Sequence, residues 1–227
     1  MAIHFTKEEF LIRKSKVVKE LKKQNLDGLL MFRQESMYWL TGYDTFGYVY
    51  FQCLVLTANG DLILLTRTPD LRQAQNTSII EDIRIWVDKD KSKPVDQLMN
   101  ILSELSLEKS NLGVEYEAYG LTGTNAMRLN DSLKNFATLH DKSELISFLR
   151  VVKSPAEIVY EKKLLSLQIK LWKLRGNMHI LVKMNLKFWQ KCKGLFLMEV
   201  VIILQTNLLL DLERMLYFVV TKVKNVT

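Results

Sequence analysis

Histidine, cysteine and long apolar runs are scarce in this chain, and each shortage removes a class of function. Only three histidines occur in 227 residues, His4, His140 and His179. None stands in a pattern with serine, cysteine or acid that would make a nucleophile–base pair or a metal cluster, so neither chemistry is expected. Two cysteines, Cys53 and Cys192, make no disulfide framework. Cys53 lies inside an apolar run and reads as a small buried hydrophobe in a reducing compartment. The longest uncharged run late in the chain, Val200–Leu210, falls well short of the roughly 20 residues a membrane span needs. Met1 to Glu9 shows no cationic start leading into an apolar run, so no signal peptide is expected and the location is read as cytoplasmic.

Charge is present but unevenly placed. The net charge is +7; residues 162–227 carry 12 Lys/Arg against Glu199, Asp211 and Glu213, which is +9 and leaves residues 1–161 at −2. Nothing arranges these lysines into a nucleic-acid-binding module, so no nucleic-acid partner and no membrane partner are expected. The character of the chain changes near residue 162.

What is abundant is an aromatic cluster. Met37-Tyr-Trp-Leu-Thr-Gly-Tyr-Asp-Thr-Phe-Gly-Tyr48 leads into Val49–Thr57, and Ala58-Asn-Gly-Asp61 separates that run from Leu62–Arg67. Asn-Gly between two apolar runs predicts a β-hairpin whose turn takes positive φ at both central residues. A short helix ending at Gly42, an aromatic loop and a hairpin in mid-sheet are expected. Upstream, Thr6 and Glu9 fit a capping box for a helix with Phe10, Val17 and Leu21 on its apolar stripe. Leu29–Phe32 and Ile83–Val87 read as strands, as do Leu112–Glu115 and Thr138–His140. Helical stretches are expected from Pro69, from Pro94 with Leu98, Ile101, Leu102 and Leu105 inward, and from Thr122 with Met127 and Leu133 inward. Ser154, Pro155 and Glu157 predict a well-capped long helix. Helices alternating with strands around one hairpin give an α/β class with a mixed sheet.

The motifs Leu26-Asp-Gly-Leu-Leu-Met-Phe32, Tyr38-Trp-Leu-Thr-Gly-Tyr43 and Leu149-Arg-Val-Val-Lys-Ser-Pro-Ala-Glu-Ile158, in this order, resemble the N-terminal half of the creatinase/prolidase/Xaa-Pro aminopeptidase family, the pita-bread hydrolases. Tyr38 to Tyr48, Leu65-Thr-Arg67 and Asp70-Leu-Arg-Gln-Ala-Gln75 are similar to its ectoine-hydrolase branch. The resemblance implies a ribonuclease-H-like α/β domain over residues 1–150 that helps form a homodimer and packs on a catalytic domain. That second domain usually binds two divalent metals, so a metal is expected only in a full-length member and none in this chain. The substrate of such a parent would be a small molecule or a dipeptide. Tyr43, Asp44, Phe46 and Tyr48 are the candidates to line a substrate pocket, with Arg67 gripping a carboxylate bidentately and Asp70 and Arg72 nearby. The same residues also read as packing aromatics and solvated charges.

After about Lys163 the family pattern stops. Residues 151–165 read as the start of a connector helix, and residues 166–227 as an aberrant remnant without catalytic or metal-binding groups. Back-translated and read two bases later, Met198–Lys222 begins Gly-Gly-Gly-Asp-Tyr-Pro-Ala-Asn, similar to an early catalytic-domain segment of ectoine-type relatives. A truncated or frame-shifted start of that domain, slipping between about Lys163 and Leu167, is the expectation. The chain is thus read as a recognition and dimerisation half that is inactive alone, or as a stand-alone binding module.

Overall fold

Apolar residues on both faces of short strands require helices on both sides, because each leucine-sized side chain left in water forgoes about 1.5–3 kcal/mol. The computed structural model describes residues 4–89 and 92–178. Its strands are β1 (Gly28–Met31), β2 (Cys53–Thr57), β3 (Leu62–Arg67), β4 (Asp82–Trp86), β5 (Asn111–Val114) and β6 (Thr138–Asp141). They form one sheet in the order β4-β3-β2-β1-β5-β6. Strand β2 runs antiparallel to β1 and β3, while the remaining pairs are parallel. The expected mixed α/β sheet, with the hairpin inside it, is what forms.

Leu29, Met31, Leu54, Leu56 and Leu64 face α1 (Lys7–Lys23), α2 (Gln34–Thr41), α3 (Leu71–Thr77) and α6 (Leu145–Val151). Leu30, Cys53, Val55, Ile63, Leu65, Leu112 and Val114 face α4 (Pro94–Glu104) and α5 (Gly123–Leu133). Alternation along each strand therefore sorts neighbours into two cores. Five strands point the same way, so their C-terminal ends and the start of β2 line one edge. Gly42, the aromatic loop, Arg67 and Glu115 all lie along it.

Several local expectations need correction. The hairpin turn uses positive φ only at Gly60 (97°). Gly60 N–H donates to the Thr57 carbonyl (3.0 Å), and the Asp61 amide and carboxylate bind the Thr57 hydroxyl (3.0 and 2.8 Å). Four connecting residues allow an ordinary turn closed by one left-handed glycine, so Asn59 need not be strained. Thr6 caps α1, accepting from the Glu9 amide at 3.3 Å. The Glu9 carboxylate turns instead to Arg13 (3.1 Å), which is buried on the α1 stripe and donates to the Trp39 carbonyl (2.8 Å). Met127 is 69% exposed, whereas Leu129 and Leu133, four residues apart, face the core.

The chain divides into two compact units, Met1–Val152 and Lys153–Thr227. In the second, α7 (Pro155–Met178) begins with the expected reciprocal cap: the Ser154 amide donates to the Glu157 carboxylate (2.7 Å) and the Glu157 amide to Ser154 Oγ (3.2 Å). The remnant expected over 166–227 lies outside the described residues from residue 179 onward. Among the described residues no helix is long and apolar enough to cross a membrane.

Candidate functional site at the aromatic edge

Helix α2 ends because Gly42 adopts a left-handed conformation (φ 82°), where a Cβ would press on the Thr77 carbonyl oxygen at 2.9 Å. The chain then drops Tyr43 into the core. Tyr43 is fully buried, its hydroxyl paired with Gln52 Oε1 (2.9 Å) and Thr66 Oγ1 (3.0 Å), and burial pushes its ionisation up to about 12. Asp44 is half-buried, which raises its carboxyl, while the charge of His4 pulls it back down. His4 thus has an acid neighbour that its place in the sequence did not suggest.

From Thr45 the loop is held at both ends by one ion pair. Thr45 Oγ1 donates to Asp70 Oδ1 (3.0 Å) and accepts from the Gly47 amide (2.9 Å). A Cβ on Gly47 would fall on the Asp70 carboxylate, so only glycine lets the chain pass there. Asp70 is itself buried and accepts from Arg67 Nε (2.9 Å). The Arg67 guanidinium lies 3.4 Å over the Tyr50 ring and reaches Asp88 at 3.6 Å. Between these two anchors runs a single 3₁₀ turn, Phe46–Val49.

The consequence is outward display. Phe46 is 87% exposed and Tyr48 is 42% exposed. The Tyr48 ring meets the Tyr119 ring edge-on at 6.1 Å, and Gly120 lets that second loop pass close under the Tyr48 and Tyr50 carbonyls. Of the five residues singled out from sequence, Phe46 and Tyr48 come together at the surface. Tyr43, Asp44 and Arg67 stand behind them, and Arg67 grips the chain's own carboxylates. Arg72 is exposed on α3. Tyr50 and Tyr119 complete the patch; Tyr119 stands in Tyr119-Gly-Leu-Thr122, a run similar to the ectoine-hydrolase branch, but nothing in the sequence marked it as a site residue.

A second group missed from sequence is Glu115, just past β5. Its side chain is fully buried, and burial raises its carboxyl to about 7 against the pull of Ser36, the Arg33 and Phe32 amides and the Arg33 charge. Ser36 Oγ lies at 2.6 Å, and the Arg33 and Phe32 amides donate at 3.1 and 3.2 Å. The Arg33 side chain makes no cap on α2, so this distant carboxyl closes the helix N-terminus. Periodicity marks Glu115 only as the end of a strand.

Among the described residues, no three His, Cys, Asp or Glu side chains come close enough to hold a metal ion. At the aromatic edge Asp70 is already neutralised by Arg67. The residues described do not fit a resident metal.

A mixed sheet between two helical layers, with its loops gathered at the C-terminal edge, defines an α/β/α domain. The chain matches the Creatinase/Prolidase N-terminal domain over residues 13–152 and belongs to that family. It is similar to ectoine hydrolase of Halomonas elongata, 28% identical over 167 residues, covering 70% of this chain and 42% of that protein. It is also 27% identical to an uncharacterized hydrolase/peptidase of Sinorhizobium fredii, covering 71% of this chain and 43% of that one. The chain thus spans less than half the length of these curated relatives. Its fold is that of a prolidase from Thermococcus sibiricus (TM-score 0.62, 21% identity, 72% of this chain and 43% of the other). A dipeptidase from Pyrococcus horikoshii agrees as well (TM-score 0.60, 23% identity, 73% and 44%).

Proposed function

We propose that this chain is the substrate-recognition and dimerisation half of an ectoine-hydrolase-like or Xaa-Pro-peptidase-like hydrolase, and that it lacks the bond-breaking groups of the parent enzyme. The observation that carries this reading is the displayed aromatic turn. An ion pair, a glycine and a threonine cap fix the turn that leaves Phe46 in solvent, so its exposure is built into the loop. In this reading Phe46 and Tyr48 contact the substrate at the mouth of a catalytic pocket, and Tyr43, Asp44 and Arg67 support them from behind. A small compatible solute and a proline-containing dipeptide are the substrate classes of the parent enzyme. Residues 1–150 form the recognition domain, 151–165 open the connector, and a reading-frame slip between about Lys163 and Leu167 separates them from the catalytic sequence.

The purified 227-residue chain, supplied with divalent metal, is expected to leave ectoine and Xaa-Pro dipeptides intact and to sediment as a dimer. Turnover of either substrate would overturn the division of labour. The genomic DNA across codons 160–170 tests the slip separately: a second frame that does not encode the glycine-rich run removes it.

A further inference from the structure

Two chains of contacts leave Glu115 and arrive at opposite sides of the aromatic patch. The first runs through α2. Ser36 and the Arg33 amide are bound to Glu115, and Gln34 between them donates through Nε2 to the Tyr43 carbonyl (2.8 Å) and accepts from Gln52 Nε2 (3.3 Å). Tyr43 begins the segment that ends in the displayed turn. The second runs through the Arg33 side chain, which donates to the Glu117 carbonyl (3.0 Å) and to Ser147 Oγ (3.0 Å). Glu117 lies two residues before Tyr119, whose ring rests on Tyr48. One buried carboxyl therefore fixes the strand ends from which both halves of the patch emerge.

We propose that Glu115 is a proton-dependent positioning residue: protonated and neutral, it holds the α2 start and the Tyr43–Tyr50 and Glu117–Tyr119 loops together, and loss of its proton loosens them. The hydrogen-bond geometry allows both states. In the neutral acid the Oε1 hydroxyl donates to Ser36 Oγ, while Oε2 keeps the Phe32 and Arg33 amides. In the carboxylate Ser36 donates instead. No partner is lost on ionisation; a charge is placed on a fully buried side chain, and opening the helix start relieves it by hydration.

The surrounding charges do not cancel that burden. Arg33, at the β1–α2 junction, is shared with Glu117 and Glu144 at 3.3 and 3.7 Å. From β2 comes only the Cys53 thiol, which burial, and after it any charge on Glu115, hold protonated. Across β6, Asp141 is engaged by the Ser143 amide and hydroxyl and acts on Tyr116. The raised ionisation of Glu115 agrees with this arrangement.

The closed site binds the proton more tightly than the opened one, so protonation favours closure and rising pH favours opening. Hydrogen exchange of the 227-residue chain, corrected for the intrinsic pH dependence of the amides, is measured from about pH 5.5 to about pH 8. Protection of residues 33–50 and 115–120 is expected to lie below that of β2 and β3, which exchange by global unfolding, and to fall at least about tenfold across that range. Glu115→Gln reproduces the neutral acid's shape and donor, and it should hold both segments protected at every pH. Ser36→Ala removes a partner of the carboxylate and should move the wild-type midpoint upward. A flat wild-type profile overturns the proposal, as does a Glu115→Gln profile that still follows wild type. An unmoved midpoint in Ser36→Ala overturns it too, and decides the matter if Glu115→Gln fails to fold.

Discussion

Arg67 joins Asp70 through Nε and covers the face of Tyr50, so one side chain holds two points of the same turn. The ion pair is screened from water on both sides, with side-chain exposures of 13% and 8%, which makes its geometry matter more than that of a surface pair. Gly47 is the tightest point. Gly47→Ala should lower the unfolding free energy by about 1–3 kcal/mol, since the added methyl displaces Asp70 from Thr45 and Arg67; urea denaturation reads the loss. Glu115 gives a residue-scale prediction for the folded state as a whole. Its native ionisation, about 7, lies above the ordinary glutamate value of about 4.3, so the native protein keeps a proton that the unfolded chain has released. Stability should therefore be greatest at the acid side of that window and fall by up to about 1.4 kcal/mol per pH unit towards neutrality. Paired pH–denaturation series should show that slope missing from Glu115→Gln.

Each element carries its own start and stop signals, and most were legible. Pro94 and Pro155 open α4 and α7, Thr122 caps α5, and Gly42 stops α2, each for a reason contained within four residues. Failures came where two local signals competed. Glu9 fits a capping box, yet Arg13 four residues on is a stronger partner once buried beside Trp39. Met127 looked inward by composition, but the i, i+4 spacing of Leu129 and Leu133 decides which face of α5 meets the sheet. The β2–β3 connection needs a glycine at one position only. Gly60→Ala, at φ 97°, should cost about 1 kcal/mol and leave the register Leu54↔Leu64 intact, visible as a lower thermal midpoint with an unchanged sheet signal. Replacing Asn59 by alanine should cost less, because that residue is not held at positive φ.

At the scale of the molecule, both cores are built from residues that lie within the matched segment 13–152. A fragment of residues 1–152 should therefore fold alone and unfold in one cooperative transition, with fluorescence and circular dichroism giving the same midpoint; two separated transitions would contradict a single sheet shared by both cores. Sequence by itself determined the class and most of the elements, because alternation, caps and turn glycines are local physics. It also marked Phe46 and Tyr48 as exceptional through sheer aromatic density. It did not determine where the sheet edge lies, nor that Arg67 would turn inward to Asp70, nor that Glu115 would close a helix 79 residues before it in the chain. Those are contacts between residues far apart in the chain. Only the packing of β1 beside β5 and of the aromatic loop over α3 brings them within hydrogen-bonding distance, and burial then sets the carboxyl's charge.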